Sequence, residues 1–182
     1  MKRVAMTIGP QFAGKTTFGK KFVELFPGTR LVSLDEIRLK IAGTIYTEED
    51  SFAELQAKYE FGRRVEQHIR TSDELLIFDV FFSSLDDMAH VVQSLRHRGA
   101  DEVHAWHFVT PAETCIDWSR GRETDRRIPL DVKAARIAQY EELLKREYHV
   151  WRGLFDRVDL IDARDTVTIE ALRTRLPGLR NS

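Results

Sequence analysis

Apolar and polar positions along the chain follow two alternating periods. RVAMTI (3–8) is a short β-branched run against a glycine, the pattern of a buried strand. KTTFGKKFVELF (15–26) then sets Phe18, Phe22, Leu25 and Phe26 on one helical stripe. Pro27-Gly28 stops that helix, TRLVSL (29–34) reads as a second strand, and DEIRLKIAG opens a helix with an acidic first turn. From Thr47 to Arg70 the apolar residues Phe52, Leu55, Tyr59, Val65 and Ile69 recur at helical spacing among charges, predicting one long amphipathic helix. ELLIFDVFF (74–82) is the most continuous apolar run and predicts a strand buried on both faces; LDDMAHVVQSLRHRG then reads as a helix stopped by Gly99. DEVHAWHFV (101–109) gives a fourth strand. Helix signals return after Pro111, break around 120–129, restart at LDVKAARIAQYEELLKREY, and give way to RVDLIDA (157–163) and a last amphipathic helix. Strands alternating with helices predict an α/β domain with a mostly parallel sheet of about five strands, helices on both faces, and ligands at the carboxyl ends of the strands.

The loop between the first strand and first helix carries the clearest chemistry. Gly9, Gly14, Lys15 and Thr16 satisfy G-x-x-x-x-G-K-[ST] in the strand–loop–helix setting the motif requires. In that setting the loop residues Gly9, Pro10, Gln11, Phe12, Ala13, Gly14, Lys15, Thr16 and Thr17 surround the phosphates of ATP, the backbone N–H groups of all but Pro10 facing them, Lys15 reaches terminal phosphate oxygens, and the Thr16 hydroxyl is placed to ligate Mg²⁺. Phe12 stands where small residues are common, which demands either a negative φ there or a ring turned away from the phosphate. GPQFAGKTT is similar to the GPMFSGKST loop of the tetrameric-type thymidine kinases, which carries phenylalanine at the same place.

A phosphate loop alone does not separate a kinase from a switch or a motor. Asp35 ends the second strand, one helical turn before Arg38. A carboxylate there can accept the proton of a hydroxyl while the arginine steers an anionic acceptor; an N-cap aspartate with an ordinary ion pair is the plainer alternative. Asp79 ends LLIFD, where a metal-side acidic residue or an acceptor-site carboxylate belongs. The Val80-Phe81-Phe82 that follows could stack a base or simply be core. DWSRGRETDRRIP (117–129) supplies Arg120, Arg122, Arg126 and Arg127 in a helix-breaking stretch, the composition of a phosphoryl-binding lid over about 118–130, with Arg122 and Arg126 the preferred candidates.

MKRVAMTIG, GKTTFGKKF, PG and LDEIR resemble in spacing the amino terminus of bacteriophage polynucleotide 5′-kinases, and RRIPLDV resembles the segment after their arginine lid. The resemblance covers roughly residues 1–40 and 105–135. It implies a three-layer P-loop kinase fold, with Asp35 as general base for a 5′-hydroxyl, Arg38 on the neighbouring phosphate, and Lys15 and Thr16 serving ATP and Mg²⁺. Val80-Phe81-Phe82 departs from the phage pattern, which continues with small polar residues, and leaves the acceptor's identity open.

Composition narrows the rest. With 182 residues and 42% apolar content, the chain suits one core and one principal site. Twenty-eight basic against 29 acidic residues exclude a global positive field, so any nucleic-acid contact is local. A single cysteine, Cys115, excludes a disulfide framework, and no apolar stretch is long enough for a membrane span, so the expectation is a cytoplasmic protein with no membrane partner. His104 and His107 on a strand point to opposite faces and cannot share a zinc ion. Trp106, Trp118 and Trp151 read as packing or lid-edge residues, and Arg173, Arg175 and Arg180 as a solvated face. The expected activity is Mg²⁺- and ATP-dependent transfer to a hydroxyl, in first place the 5′-hydroxyl of DNA or RNA, with a kinase of small molecules such as a nucleoside, nucleotide, nucleotide sugar or antibiotic as the alternative. A nucleotide-binding regulatory module without acceptor is the alternative from another class.

Overall fold

The computed structural model describes residues 1–45, 47–120, 128–165 and 167–176. Strands β1 (Arg3–Ile8), β2 (Thr29–Ser33), β3 (Leu75–Asp79), β4 (Glu102–Phe108) and β5 (Arg157–Ile161) form one sheet in the order β2-β3-β1-β4-β5. Every pairing between neighbours is parallel, from Thr29 opposite Leu75 at one edge to Phe108 opposite Ile161 at the other. Helices α1 (Lys15–Leu25), α2 (Leu34–Ala42), α3 (Phe52–Thr71), α4 (Leu85–His97), α5 (Ala112–Arg120), α6 (Leu130–Arg146), α7 (Tyr148–Arg152) and α8 (Val167–Arg175) make the connections and the carboxyl-terminal cover.

Strand periodicity divides the core in two. Val4, Met6, Leu76, Phe78, Val103 and Ala105 face one way and meet α2, α3, α4 and α7. Ala5, Leu75, Ile77, Trp106 and Phe108 face the other way and meet α1, α5 and α8. The α6 helix reaches both layers, with Ile137 in the second and Tyr140 and Leu144 in the first. This is the expected three-layer α/β arrangement, with helices on both faces of a five-stranded parallel sheet.

Three elements depart from the sequence reading. The third strand stops at Asp79 rather than 82, because β2 ends opposite Asp79 at Ser33 and the β1 ladder ends opposite Phe78 at Met6, so the backbone beyond has no parallel partner. Val80-Phe81-Phe82 accordingly splits: Phe82 folds into the core, its ring 6.5 Å from Phe78, while Phe81 stays partly exposed. The long helix starts at Phe52, capped by the Ser51 hydroxyl on the Glu54 amide, and not at Thr47. Its inward stripe is Glu54, Ala57, Phe61, Val65 and Ile69, so Phe52, Leu55 and Tyr59 lie on the solvent side. The last predicted stretch before the fifth strand is two helices, α6 and α7, hinged at Glu147.

Trp151 closes the first layer. It is fully buried, its indole N–H donates to the Leu144 carbonyl at 2.9 Å, and its ring meets His107 and Phe155 edge-on. Trp151→Ala is expected to destabilise the fold by about 3–5 kcal/mol, the usual cost of deleting a large buried aromatic. Val150→Ala, next to it and exposed, is expected to stay within about 0.5 kcal/mol of the parent. Urea denaturation midpoints of the two variants check both.

Candidate active site

β1 delivers the chain to the carboxyl edge of the sheet, and the turn into α1 is built on three positive φ angles: Gly9 at 152°, Phe12 at 64° and Gly14 at 85°. A Cβ on Gly9 would stand 2.9 Å from that of Phe108, and one on Gly14 would stand 2.8 Å from that of Ala163 and 2.9 Å from the Trp118 ring. Both glycines are therefore fixed by close approach as well as by backbone. Among the described residues, Phe12 alone carries a positive φ without being glycine. Of the two ways to place a side chain there, the loop takes the second: the ring turns into the α1 side of the core, with the Lys133 ammonium 5.5 Å from its centroid. Thr110 ties the loop down by donating to the Ala13 carbonyl at 2.9 Å. The Lys15 ammonium donates to the carbonyls of Gly9 (2.9 Å) and Pro10 (2.6 Å), and lies 6.0 Å from the Phe81 ring centroid.

Asp79 sits beneath this loop. Its buried carboxylate accepts from Thr7 at 2.8 Å on one oxygen and from Thr16 at 2.7 Å on the other. A hydroxyl and a carboxylate side by side at a helix amino terminus are hard oxygen donors of the kind Mg²⁺ takes alongside waters and substrate phosphates.

The acceptor side is built on β2 and α2. Asp35 and Arg38 stand one turn apart, with the guanidinium donating to the carboxylate at 2.9 Å. Burial in the cleft raises the Asp35 carboxyl above its ordinary value, against the opposing pull of Arg38. The other edge of the same guanidinium grips Glu54 in a fork, Nε to Oε2 at 2.8 Å and Nη2 to Oε1 at 2.6 Å. The Thr47 hydroxyl also donates to Glu54, and the Lys58 ammonium lies 3.4 Å from it. Glu54 is only 2% exposed, and the Arg38 hydrogen bonds hold its carboxyl down at about 2. Glu54 escaped the sequence reading. The S-x-x-E spacing of Ser51 and Glu54 marks a helix start, but nothing local announces that this glutamate turns inward to Arg38.

Residues Gln11 to Thr16, Asp35, Arg38, Asp79 and Phe81 thus line one cleft of about 600 Å³, with Thr47, Glu49 and Lys58 also in its lining. Arg120 lies outside that lining and pairs with Asp117 at 3.2 Å across one helical turn. Arg122, Arg126 and Arg127 fall outside the described residues. The remaining signals resolve by packing. His107 meets Trp151 on one face of β4, while His104 bonds Glu102 at 3.2 Å on the other. Trp106 and Trp151 are core, and Trp118 flanks the phosphate loop at Gly14. Arg175 is not simply solvated, since it reaches the buried carboxylate of Asp159 at 3.3 Å.

A family model described as an AAA domain matches residues 4–146. The chain belongs to that AAA-domain family. Solved structures with the same fold include a chain of the Pnkp1/Rnl/Hen1 RNA repair complex, at TM-score 0.63 and 19% identity, covering 80% of this chain and 46% of that one. Shikimate kinase from Acinetobacter baumannii, solved with shikimate, matches at TM-score 0.59 and 18% identity over 96% and 93% of the two chains. The tunicamycin resistance protein of Deinococcus radiodurans matches at TM-score 0.63 and 16% identity over 100% and 99%. No curated protein sequence matches the chain. This AAA-domain chain spans less than half the length of the RNA repair chains it matches, and almost all of the small-molecule kinase. It has the P-loop kinase-type nucleotide-binding fold.

A carboxylate whose folded value is lowered stabilises the fold fully above its ordinary value and stops doing so as pH falls through the folded one. For Glu54 that window runs from 4.5 down to about 2. Glu54→Gln is therefore expected to lower stability at neutral pH by on the order of 1–3 kcal/mol. It is also expected to flatten the acid limb of the stability curve, read as urea midpoints across that window.

Proposed function

We propose that this protein transfers the γ-phosphoryl group of ATP to a hydroxyl, that of the 5′ end of a polynucleotide. The observation that carries the proposal is the Asp35–Arg38 pair standing in the same cleft as Lys15, Thr16 and Asp79. The bacteriophage kinase resemblance of LDEIR, and the presence of an RNA repair chain among the structural relatives, support the choice of acceptor.

In this reading the amides at the start of α1 and the Lys15 ammonium hold the β- and γ-phosphates. Thr16 and Asp79 would hold Mg²⁺, which neutralises phosphate charge when bound. Asp35 accepts the proton of the attacking hydroxyl as the new oxygen–phosphorus bond forms and ADP departs with the broken one. Its carboxyl, raised by the cleft, is the stronger base for that task. Arg38, locked by Glu54, offers its remaining guanidinium hydrogens to the acceptor's neighbouring phosphate. Arg122 and Arg126 belong to the proposal as charge neutralisers from the lid segment, and Arg120 as a contact to ATP.

A kinase of small hydroxyl compounds is the second reading. It is favoured by the near-complete overlap with shikimate kinase and by the carboxylate of Glu49 in the cleft lining, which disfavours a polyanionic acceptor.

Incubation with magnesium and γ-labelled ATP against 5′-hydroxyl oligonucleotides, nucleosides and nucleoside monophosphates separates the two. Label on the oligonucleotide supports the polynucleotide reading, and label confined to a small acceptor replaces it. Asp35→Asn is expected to lower the transfer rate by on the order of 10²–10⁴ with nucleotide binding nearly intact. Unchanged turnover in that variant removes Asp35 from the chemistry. Arg38→Ala is expected to raise KM more for an acceptor with a 3′-phosphate than for a free nucleoside, and equal losses on both would free Arg38 of the phosphate role.

A further inference from the structure

The outward side of α3 carries an apolar stripe that no described residue covers. Phe52, Leu55 and Tyr59 are 82%, 57% and 73% exposed, and their spacing of three and four residues places them on one face over two turns. Three large apolar side chains side by side differ from scattered exposed ones and mark an interaction surface.

Charge selects the occupant. Just before the stripe come Glu48, Glu49 and Asp50, all exposed, and none of the three forms an ion pair among the described residues. Just after it, on the same face, comes Arg63. Arg63 and Arg64 share a single carboxylate, Glu60 (2.7 and 2.6 Å), so that end of the stripe keeps an excess positive charge. An acidic run beside exposed aromatics repels a phosphate backbone. A surface on which an acidic turn leads into an apolar helix face with a basic end beyond it is complementary to itself when turned end for end.

We infer that this face pairs with a second copy of the chain, α3 against α3 in antiparallel orientation about a two-fold axis between Leu55 and Gln56. That register sets Phe52 against Tyr59 of the second copy and brings the acidic turn at Glu48–Asp50 toward its Arg63, each contact occurring twice. A patch of this extent suits a reversible dimer rather than an obligate one. Leu55, Tyr59 and Arg63 lie outside the cleft lining, whereas Glu49 of the acidic run belongs to it, so the association is tested apart from transfer activity.

Sedimentation velocity over a rising concentration series tests it. The parent protein is expected to shift reversibly from monomer to dimer, and Leu55→Arg to weaken that association by about tenfold or more. Far-UV circular dichroism and the thermal midpoint of that variant should match the parent, as Leu55 is exposed. Arg63→Glu is expected to weaken the dimer, and Glu48→Lys combined with Arg63→Glu to restore it. Leu55→Cys should cross-link to a dimer on oxidation while Val150→Cys, on an exposed site of α7, should not; the native Cys115 is buried and silent. A parent protein that stays monomeric throughout, or a dimer indifferent to Leu55→Arg and to the charge exchange, overturns the inference. So does a Leu55→Arg variant that loses retention of single-stranded oligonucleotide with no change in association, which would assign the face to nucleic acid.

Discussion

Two hydroxyls converge on the Asp79 carboxylate from different parts of the chain, Thr7 on β1 and Thr16 on α1, and the candidate site is organised around that convergence. A buried carboxylate is costly unless its oxygens are satisfied. Here the satisfaction comes from the two elements that must be held in register for a phosphate loop to work. Thr7 fixes β3 against β1 at the end of their ladder, and Thr16 draws the first turn of α1 down onto the same point. Displacing either hydroxyl would leave a carboxylate oxygen unmatched in the core, so the geometry of the loop and the integrity of the central sheet are a single constraint.

The strand order does the rest. Because β2 lies beside β3, the chain leaves β2 next to Asp79 and enters α2 with Asp35 and Arg38 facing the phosphate loop. Glu54 then reaches across from α3 and takes the second edge of the Arg38 guanidinium, leaving the first for Asp35. One planar cation bridging two carboxylates fixes the orientation of a side chain that would otherwise sample many rotamers. The aromatic stripe on the far side of α3 is the counterpart of this arrangement: the helix spends an inward position on a glutamate and an ordinary outward face on Phe52, Leu55 and Tyr59.

Much of this was legible in the sequence. The five strands, the helical stretches between them, and the placement of Lys15, Thr16, Asp35, Arg38 and Asp79 at or just beyond strand carboxyl ends follow from periodicity and spacing alone, since both depend on the nearest few residues. Glu54 was not legible, because its partner lies sixteen residues away and a helix-start pattern explained it equally well. The face of α3 was misread for a related reason. Counting apolar positions assumes that the inward stripe is apolar, and here an ion pair occupies the first turn of it. The end of β3 escaped because Phe81 and Phe82 are as apolar as the strand itself, and what stops the strand is the end of its ladders with β1 and β2.

The amino-acid sequence by itself determined the elements, the phosphate loop and the candidate chemistry, because helical and strand periods and the G-x-x-x-x-G-K-T spacing are local properties of the chain. Tertiary structure decided which side of each element faces inward where charge and apolarity compete. It paired Glu54 with Arg38, sent the Phe12 ring into the core at a positive φ, divided Phe81 from Phe82, and left Phe52, Leu55 and Tyr59 outside. Each of those outcomes is set by a partner distant in sequence, whose position exists only once the sheet has been assembled.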